Sequence, residues 1–212
     1  TILRWNSLVK TPQDLMANSD MKRFLYRKIG TCTAGSCVGW NALNVLFATT
    51  YDIDKALGTE YNARLKKWII AMEEKGAKVA GALTDAKGDR SMSPGKTPDP
   101  DSNVRVKEVL PDGIIVSGYK CMIAGAAACH EIFVLPGSGY KEADADYAVS
   151  FVIPRDAEGI TLVQVGAHDS REGWDTMATA TQASYIFFED VFVPNERVFM
   201  CREYKYSGPN IA

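Results

Sequence analysis

Two cysteines five positions apart, Cys32 and Cys37, sit in Gly30-Thr31-Cys32-Thr33-Ala34-Gly35-Ser36-Cys37-Val38-Gly39-Trp40. Thiolates are soft ligands, so a close pair suits a metal ion or an iron–sulfur cluster. On one continuous helix five residues advance the direction by about 500°, which leaves the side chains about 140° apart. Convergence therefore requires a helix break at Ala34-Gly35, which glycine permits. Two sulfurs are too few for a cluster, and buried cysteines acting as small hydrophobes fit the same spacing. A second group is the turn Thr84-Asp85-Ala86-Lys87-Gly88-Asp89-Arg90. Its hydroxyl, carboxylates, guanidinium and glycine suit the polar edge and phosphates of a cofactor, with Arg90 able to pair bidentately with an anion. The same residues also make an ordinary surface turn with local Asx hydrogen bonds. No Walker A loop and no G-x-G-x-x-G after a strand occurs. The two histidines offer less. His130, in Cys129-His130-Glu131, heads an apolar strand where neighbours point to opposite faces, so a structural role is expected. His168 reads as a loop residue. A hydrolytic triad has no support, and no catalytic base can be named.

The elements that must position these groups change character near residue 77. Before it the pattern is helical. Thr11-Pro12-Gln13-Asp14 is a start signal with Thr as N-cap, Pro at the first position and an acid in the first turn. Leu15, Met16, Met21, Phe24 and Leu25 then recur at helical spacing. A second helix is predicted from about Trp40 to Leu57, and a third from Thr59 to Lys75 with the stripe Tyr61, Leu65, Trp68, Ile69 and Met72. These stripes read as core faces. After Gly76 come short β runs: Lys78–Leu83, Val104–Val109 returning through Pro111-Asp112-Gly113 into Ile114-Ile115-Val116, then Glu131–Leu135, Tyr147–Ile153, Ile160–Val165 and Ser184–Val193. Ser91 to Ser102 reads as a long exposed loop. The predicted fold class is α+β: an N-terminal helical segment, then an antiparallel β-barrel or sandwich.

Composition narrows the classes. The chain has 212 residues, 46% hydrophobic and 24% charged, which excludes collagen-like, disordered and disulfide-scaffold proteins. Lys+Arg at 24 against Asp+Glu at 26 gives a net charge of -2, so bulk charge favours neither nucleic acid nor an anionic membrane. No apolar run approaches the ~20 residues that cross a bilayer. Five cysteines, an odd set, with no secretion signal, point to a reduced, cytoplasmic setting. The first residue is Thr1 rather than Met, so the sequence reads as a piece of a longer protein.

Three segments in order carry a resemblance: Leu83-Thr84-Asp85 through Asp89-Arg90, Asp112-Gly113-Ile114-Ile115-Val116-Ser117-Gly118-Tyr119-Lys120, and Phe187-Phe188-Glu189-Asp190-Val191-Phe192-Val193-Pro194-Asn195-Glu196-Arg197-Val198-Phe199. Together they resemble the flavin-binding middle of the acyl-CoA dehydrogenase-like fold, and more closely the 4-hydroxyphenylacetate 3-hydroxylase family. Cys37-Val38-Gly39, Thr49-Thr50-Tyr51-Asp52-Ile53-Asp54, Thr84-Asp85-Ala86-Lys87-Gly88-Asp89-Arg90, Asp146-Tyr147-Ala148-Val149-Ser150-Phe151 and Cys201-Arg202-Glu203-Tyr204 point to its 4-hydroxybutyryl-CoA dehydratase branch. The resemblance implies a homotetrameric FAD enzyme with a [4Fe–4S] cluster that dehydrates a hydroxyacyl-CoA and isomerises vinylacetyl-CoA. It implies a helical domain over 1–76, a flavin-binding β-domain over 77–200, and at 201–212 the start of a linker to a C-terminal helical bundle. It assigns flavin contacts to Leu83, Thr84, Asp85, Lys87, Gly88, Asp89, Arg90 and Ala124, with Thr84 and Asp89 foremost, and cluster ligation to Cys32 and Cys37. The remaining ligands would fall beyond Ala212. Two departures stand out. The branch places three residues between its first two cysteines and this chain four. Met122, Ile123 and Ala124 also replace polar flavin contacts, leaving backbone contacts only. Two alternatives remain: a flavin-dependent aromatic monooxygenase of the same family, in which the cysteines are incidental, and a non-catalytic binding or assembly module.

Overall fold

Thr11 starts the first helix as its neighbours predict. In a computed structural model that describes residues 8–29, 35–86, 88–89, 91–164 and 183–208, α1 runs Pro12–Ile29. The Asp14 amide donates to Thr11 Oγ1 at 3.2 Å, and the Thr11 amide donates back to Asp14 Oδ2 at 2.8 Å, a reciprocal capping box. The Lys10 amide, Thr11 hydroxyl and Thr11 amide hold the Asp14 carboxyl below its ordinary range. The apolar face of α1 is not a core face, however. Leu15, Met16 and Phe24 are more than half exposed. Helical periodicity identifies such a stripe but does not say what covers it.

The second helix, α2, spans Gly35–Leu57 and so already includes the five residues ahead of the predicted start at Trp40. The third, α3, spans Tyr61–Lys75. Asp54 near the end of α2 caps it: its Oδ1 accepts from the Tyr61 amide at 2.9 Å and its Oδ2 from the Asn62 amide at 2.8 Å. The predicted stripe Tyr61, Leu65, Trp68, Ile69 and Met72 is buried throughout.

Among the described residues eight strands follow: β1 Val79–Ala82, β2 Arg105–Val109, β3 Gly113–Ala124, β4 Glu131–Val134, β5 Val149–Pro154, β6 Ile160–Gln164, β7 Ala183–Pro194 and β8 Val198–Cys201. They form two four-stranded sheets, ordered β1-β4-β5-β8 and β2-β3-β7-β6. The described strands do not close into a barrel. Pairing is antiparallel except that β1 lies parallel to β4, which the predicted all-antiparallel domain did not include. The long excursion through β2 and β3 between these two strands allows the parallel register. Residues 142–147 form a short 3-10 helix, so β5 starts two residues after the predicted Tyr147. The exposed loop from Ser91 to Ser102 carries two 3-10 turns.

Phe151 and Phe188 meet edge to face across the sheets, with centroids 5.8 Å apart. A second cluster joins Leu43, Leu46, Leu65 and Trp68 of the helices to Phe133 and Phe199 of the first sheet. Each fully buried Leu or Phe there contributes roughly 1.5–3 kcal/mol of transfer free energy. Close approach of α2 to β1 depends on two glycines. A Cβ on Gly39 would stand 2.8 Å from the Val79 carbonyl oxygen, and one on Gly81 2.7 Å from Val38 Cγ1. Val38 thus covers Gly81, while Ala42, Leu43 and Leu46 pack with Ala77 and Val79.

Candidate cofactor site

Three consecutive residues of the turn after β1 are bound to two consecutive residues of β3. Lys120 Nζ donates to the Leu83 carbonyl at 3.1 Å and to Asp85 Oδ1 at 2.5 Å, and the Cys121 amide donates to the Thr84 carbonyl at 2.8 Å. The third Lys120 donor goes to the Leu135 carbonyl at 2.8 Å, at the end of β4. With its side chain only 2% exposed, Lys120 has all three protons used, as a buried ammonium requires. Beside Asp85, the Gly137 amide donates to the Tyr140 hydroxyl at 3.0 Å. Burial first, and the Asp85 charge second, push the Tyr140 phenol above its ordinary range.

The structure brings Leu83, Thr84 and Asp85 together with the Lys120–Cys121 stretch of β3. Leu83 is half-buried against the helical cluster, Thr84 is exposed, and Gly88 is exposed with open space around it. Asp89 is exposed and serves its own turn: its Oδ1 accepts from the Ser91 hydroxyl at 2.6 Å and the Ser91 amide at 2.9 Å. Those two bonds lower its carboxyl below the usual range. Ala124 ends β3 opposite Ala183, beyond a bulge where Met122 takes φ 53° and an exposed position. Lys87, Arg90, Cys32 and His168 lie outside the described residues. Cys37 is in α2, and its side chain is likewise outside the description.

Sequence reasoning missed Lys120 as a site residue, although a lysine inside an apolar strand is a visible signal. His130 is structural, as expected: its Nδ1 accepts from the Lys78 amide at 2.9 Å. Cys129 is also structural. It is buried, donates to the Ala126 carbonyl, and its thiol is pushed up to about 11 chiefly by burial.

Among the described residues, two further grooves lie away from this turn. One of about 390 Å³ on the outer face of β3 and β7 holds Tyr119 stacked on Phe187, centroids 5.4 Å apart, beside Asp190. The Lys107 ammonium, then the Ser117 hydroxyl, hold the Asp190 carboxyl below its ordinary range. The other, about 570 Å³, is lined by Tyr61, Arg64, Asn195, Cys201 and Arg202. Behind it Glu203 accepts from the Tyr61 hydroxyl at 3.0 Å and the Cys201 amide at 2.5 Å. Burial raises the Glu203 carboxyl above its usual value, and these two hydrogen bonds pull the other way. A raised carboxyl binds its proton more tightly folded than unfolded. Its contribution is therefore greatest at and below the unfolded value and declines as pH rises through the folded one. Glu203→Gln removes that decline, so its melting temperature should gain on the parent's between pH 4 and pH 8. The neighbouring Cys201 thiol, pushed up to about 11, and the Tyr61 phenol, pushed higher, do not titrate in that range. A difference between the two proteins that stays flat across these melts would refute the assignment.

The N-terminal model of the 4-hydroxyphenylacetate 3-hydroxylase family matches residues 1–200. The chain is 37% identical over 216 aligned residues to the 4-hydroxybutyryl-CoA dehydratase/vinylacetyl-CoA-Delta-isomerase of Clostridium aminobutyricum, covering 98% of this chain and 44% of that protein. It is 35% identical over 109 residues to a 4-hydroxyphenylacetate 3-monooxygenase oxygenase component of Geobacillus sp. (strain PA-9), covering 49% of this chain and 22% of the relative. Among solved structures, an oxygen-tolerant archaeal 4-hydroxybutyryl-CoA dehydratase from N. maritimus superposes with a TM-score of 0.93 at 31% identity, over 99% of this chain and 43% of that one. A 4-hydroxyphenylacetate 3-monooxygenase oxygenase component complexed with FAD superposes at 0.78 with 20% identity, over 98% of this chain and 43% of that one, a likeness of fold alone. The chain spans less than half the length of these relatives.

Proposed function

This chain belongs to the 4-hydroxyphenylacetate 3-hydroxylase family, and from that membership we propose that the protein it comes from is an FAD-dependent dehydratase of a hydroxyacyl-CoA. The observation that carries the reading is the 37% identity to a 4-hydroxybutyryl-CoA dehydratase along nearly the whole chain. In this reading residues 1–76 are part of a helical domain, 77–200 bind the flavin and 201–212 lead into further chain. The full-length protein works as a cytoplasmic homotetramer.

The turn fits a flavin in its donor set. Thr84 and Gly88 are exposed, and the backbone between Leu83 and Asp85 is fixed from behind. Leu83, Thr84, Asp85, Lys87, Gly88, Asp89 and Arg90 would hold the cofactor's polar edge, with Ala124 giving a backbone contact. For a [4Fe–4S] cluster the chain offers Cys37, in α2, together with Cys32. Bound together, a flavin would supply redox chemistry and a cluster a Lewis acid for the departing hydroxyl. The chain's own part is to bind, orient and shield the acyl thioester.

The 35% identity over 109 residues to a 4-hydroxyphenylacetate 3-monooxygenase oxygenase component favours a second reading, an aromatic monooxygenase. Iron separates the two. An absorption spectrum with an iron assay on the full-length protein should show flavin and about four iron atoms per subunit in the dehydratase reading. Flavin without iron would overturn it in favour of the monooxygenase.

A further inference from the structure

We propose that Lys120 is a positioning residue for the cofactor, acting through Thr84; this rests on the flavin reading of the turn. Burying an ammonium group costs free energy that hydrogen bonds and pairing must offset. A well-packed apolar side chain of similar volume would fill the same space with no such penalty. What an apolar residue could not do is aim three donors. Two of them grip the Leu83 carbonyl and the Asp85 carboxylate, the residues either side of Thr84, at 3.1 and 2.5 Å. The next residue, Cys121, donates its amide to the Thr84 carbonyl at 2.8 Å. The third donor anchors the ammonium to the Leu135 carbonyl at the end of β4.

Three successive acceptors of the turn are thus held toward β3. Thr84 itself is exposed, and its hydroxyl has no partner among the described residues. Lys120 and Cys121 therefore fix the backbone on which the Thr84 hydroxyl is presented, ready to bond a ligand without first ordering the turn. Pre-ordering of this kind raises affinity by lowering the entropy lost on binding.

A double-mutant cycle in FAD affinity tests this, measured by flavin fluorescence quenching on the full-length protein freed of its flavin. Thr84→Val should weaken FAD about tenfold and Lys120→Met about thirtyfold, the sizes expected for one or two lost hydrogen bonds. If Lys120 acts through Thr84, adding Thr84→Val to Lys120→Met should cost no more than about twofold further. Losses that multiply toward about 300-fold would show a strut with no special relation to Thr84 and overturn the proposal. So would an unchanged affinity for Thr84→Val alone. Should Lys120→Met fail to fold, Asp85→Ala removes one grip while leaving both carbonyl bonds. Its cycle with Thr84→Val carries the same two outcomes. A folded parent that takes up no FAD at all would bring down the flavin reading itself, together with the role of Lys120. A parent that binds FAD while the cycle is additive would bring down the role alone.

Discussion

Cys37→Ala in the full-length protein is expected to purify with its flavin and without iron. The parent should carry about four iron atoms per subunit, and the variant lacks one of the thiolates proposed to hold them. One feature favours Cys37 among the cysteines: it lies in α2 directly before Val38 and Gly39, which pack on Val79 and Gly81 of β1, the strand that leads into Leu83. Cys129 and Cys201 are the contrasting cases. Burial pushes both thiols up to about 11, so neither offers a ready thiolate at neutral pH. Cys129→Ala and Cys201→Ala should accordingly keep their iron. Loss of a Lewis acid worth several kcal/mol corresponds to about 10³-fold or more in the rate of water elimination. Unchanged iron in Cys37→Ala would remove the cluster from this chain, yet leave the flavin turn untouched.

How far these features can be read from the chain depends on whether the signal is local. The start of α1 is legible because Thr11, Pro12 and Asp14 cap a helix whatever packs on it. The fate of its Leu15, Met16 and Phe24 is not, because burial is a property of the partner surface. The stripe of α3 has the same periodicity as that of α1, and it is buried because the first sheet lies against it. Strand β3 was legible as far as Val116. Beyond it, Gly118 at φ 123° and the bulge at Met122 break the period of two that marks a strand. A Cβ on Gly118 would meet the Asn103 carbonyl oxygen at 2.3 Å, a constraint from a residue fifteen positions away. Strand β8 has only four residues after a turn, too short for any periodicity. In the site, the turn was identified by composition, while Lys120 was not, since its three acceptors come from Leu83, Asp85 and Leu135. Asp89 shows the reverse: its partner, Ser91, is two residues away, and a local Asx turn was one of the two readings its sequence allowed.

Arg197→Met should destabilise the protein by about 3 kcal/mol, the lower end of the range for breaking a buried ion pair. Arg197 Nη1 donates to Glu131 Oε2 at 2.7 Å, and Trp68 Nε1 donates to the same oxygen at 3.1 Å. The three groups come from α3, from β4 and from the turn before β8, so the carboxylate ties the helices to the first sheet. Glu131 is 8% exposed and Arg197 25%, which leaves the arginine partly screened and the carboxylate dry. Removing the arginine strands a charge whose only remaining donor among the described residues is the indole. Desolvation of that charge, more than the lost attraction, sets the size of the effect. Neutralising the acid in the same background should therefore help. Glu131→Gln keeps an oxygen for Trp68 and discards the charge, so the double variant should recover half or more of the loss. For a chain of this size 3 kcal/mol corresponds to a fall of roughly 10 °C in melting temperature. Melts of the parent, both single variants and the double variant measure the coupling directly. If the two losses simply add, attraction at the surface and not a stranded charge governs this junction between the helices and the first sheet.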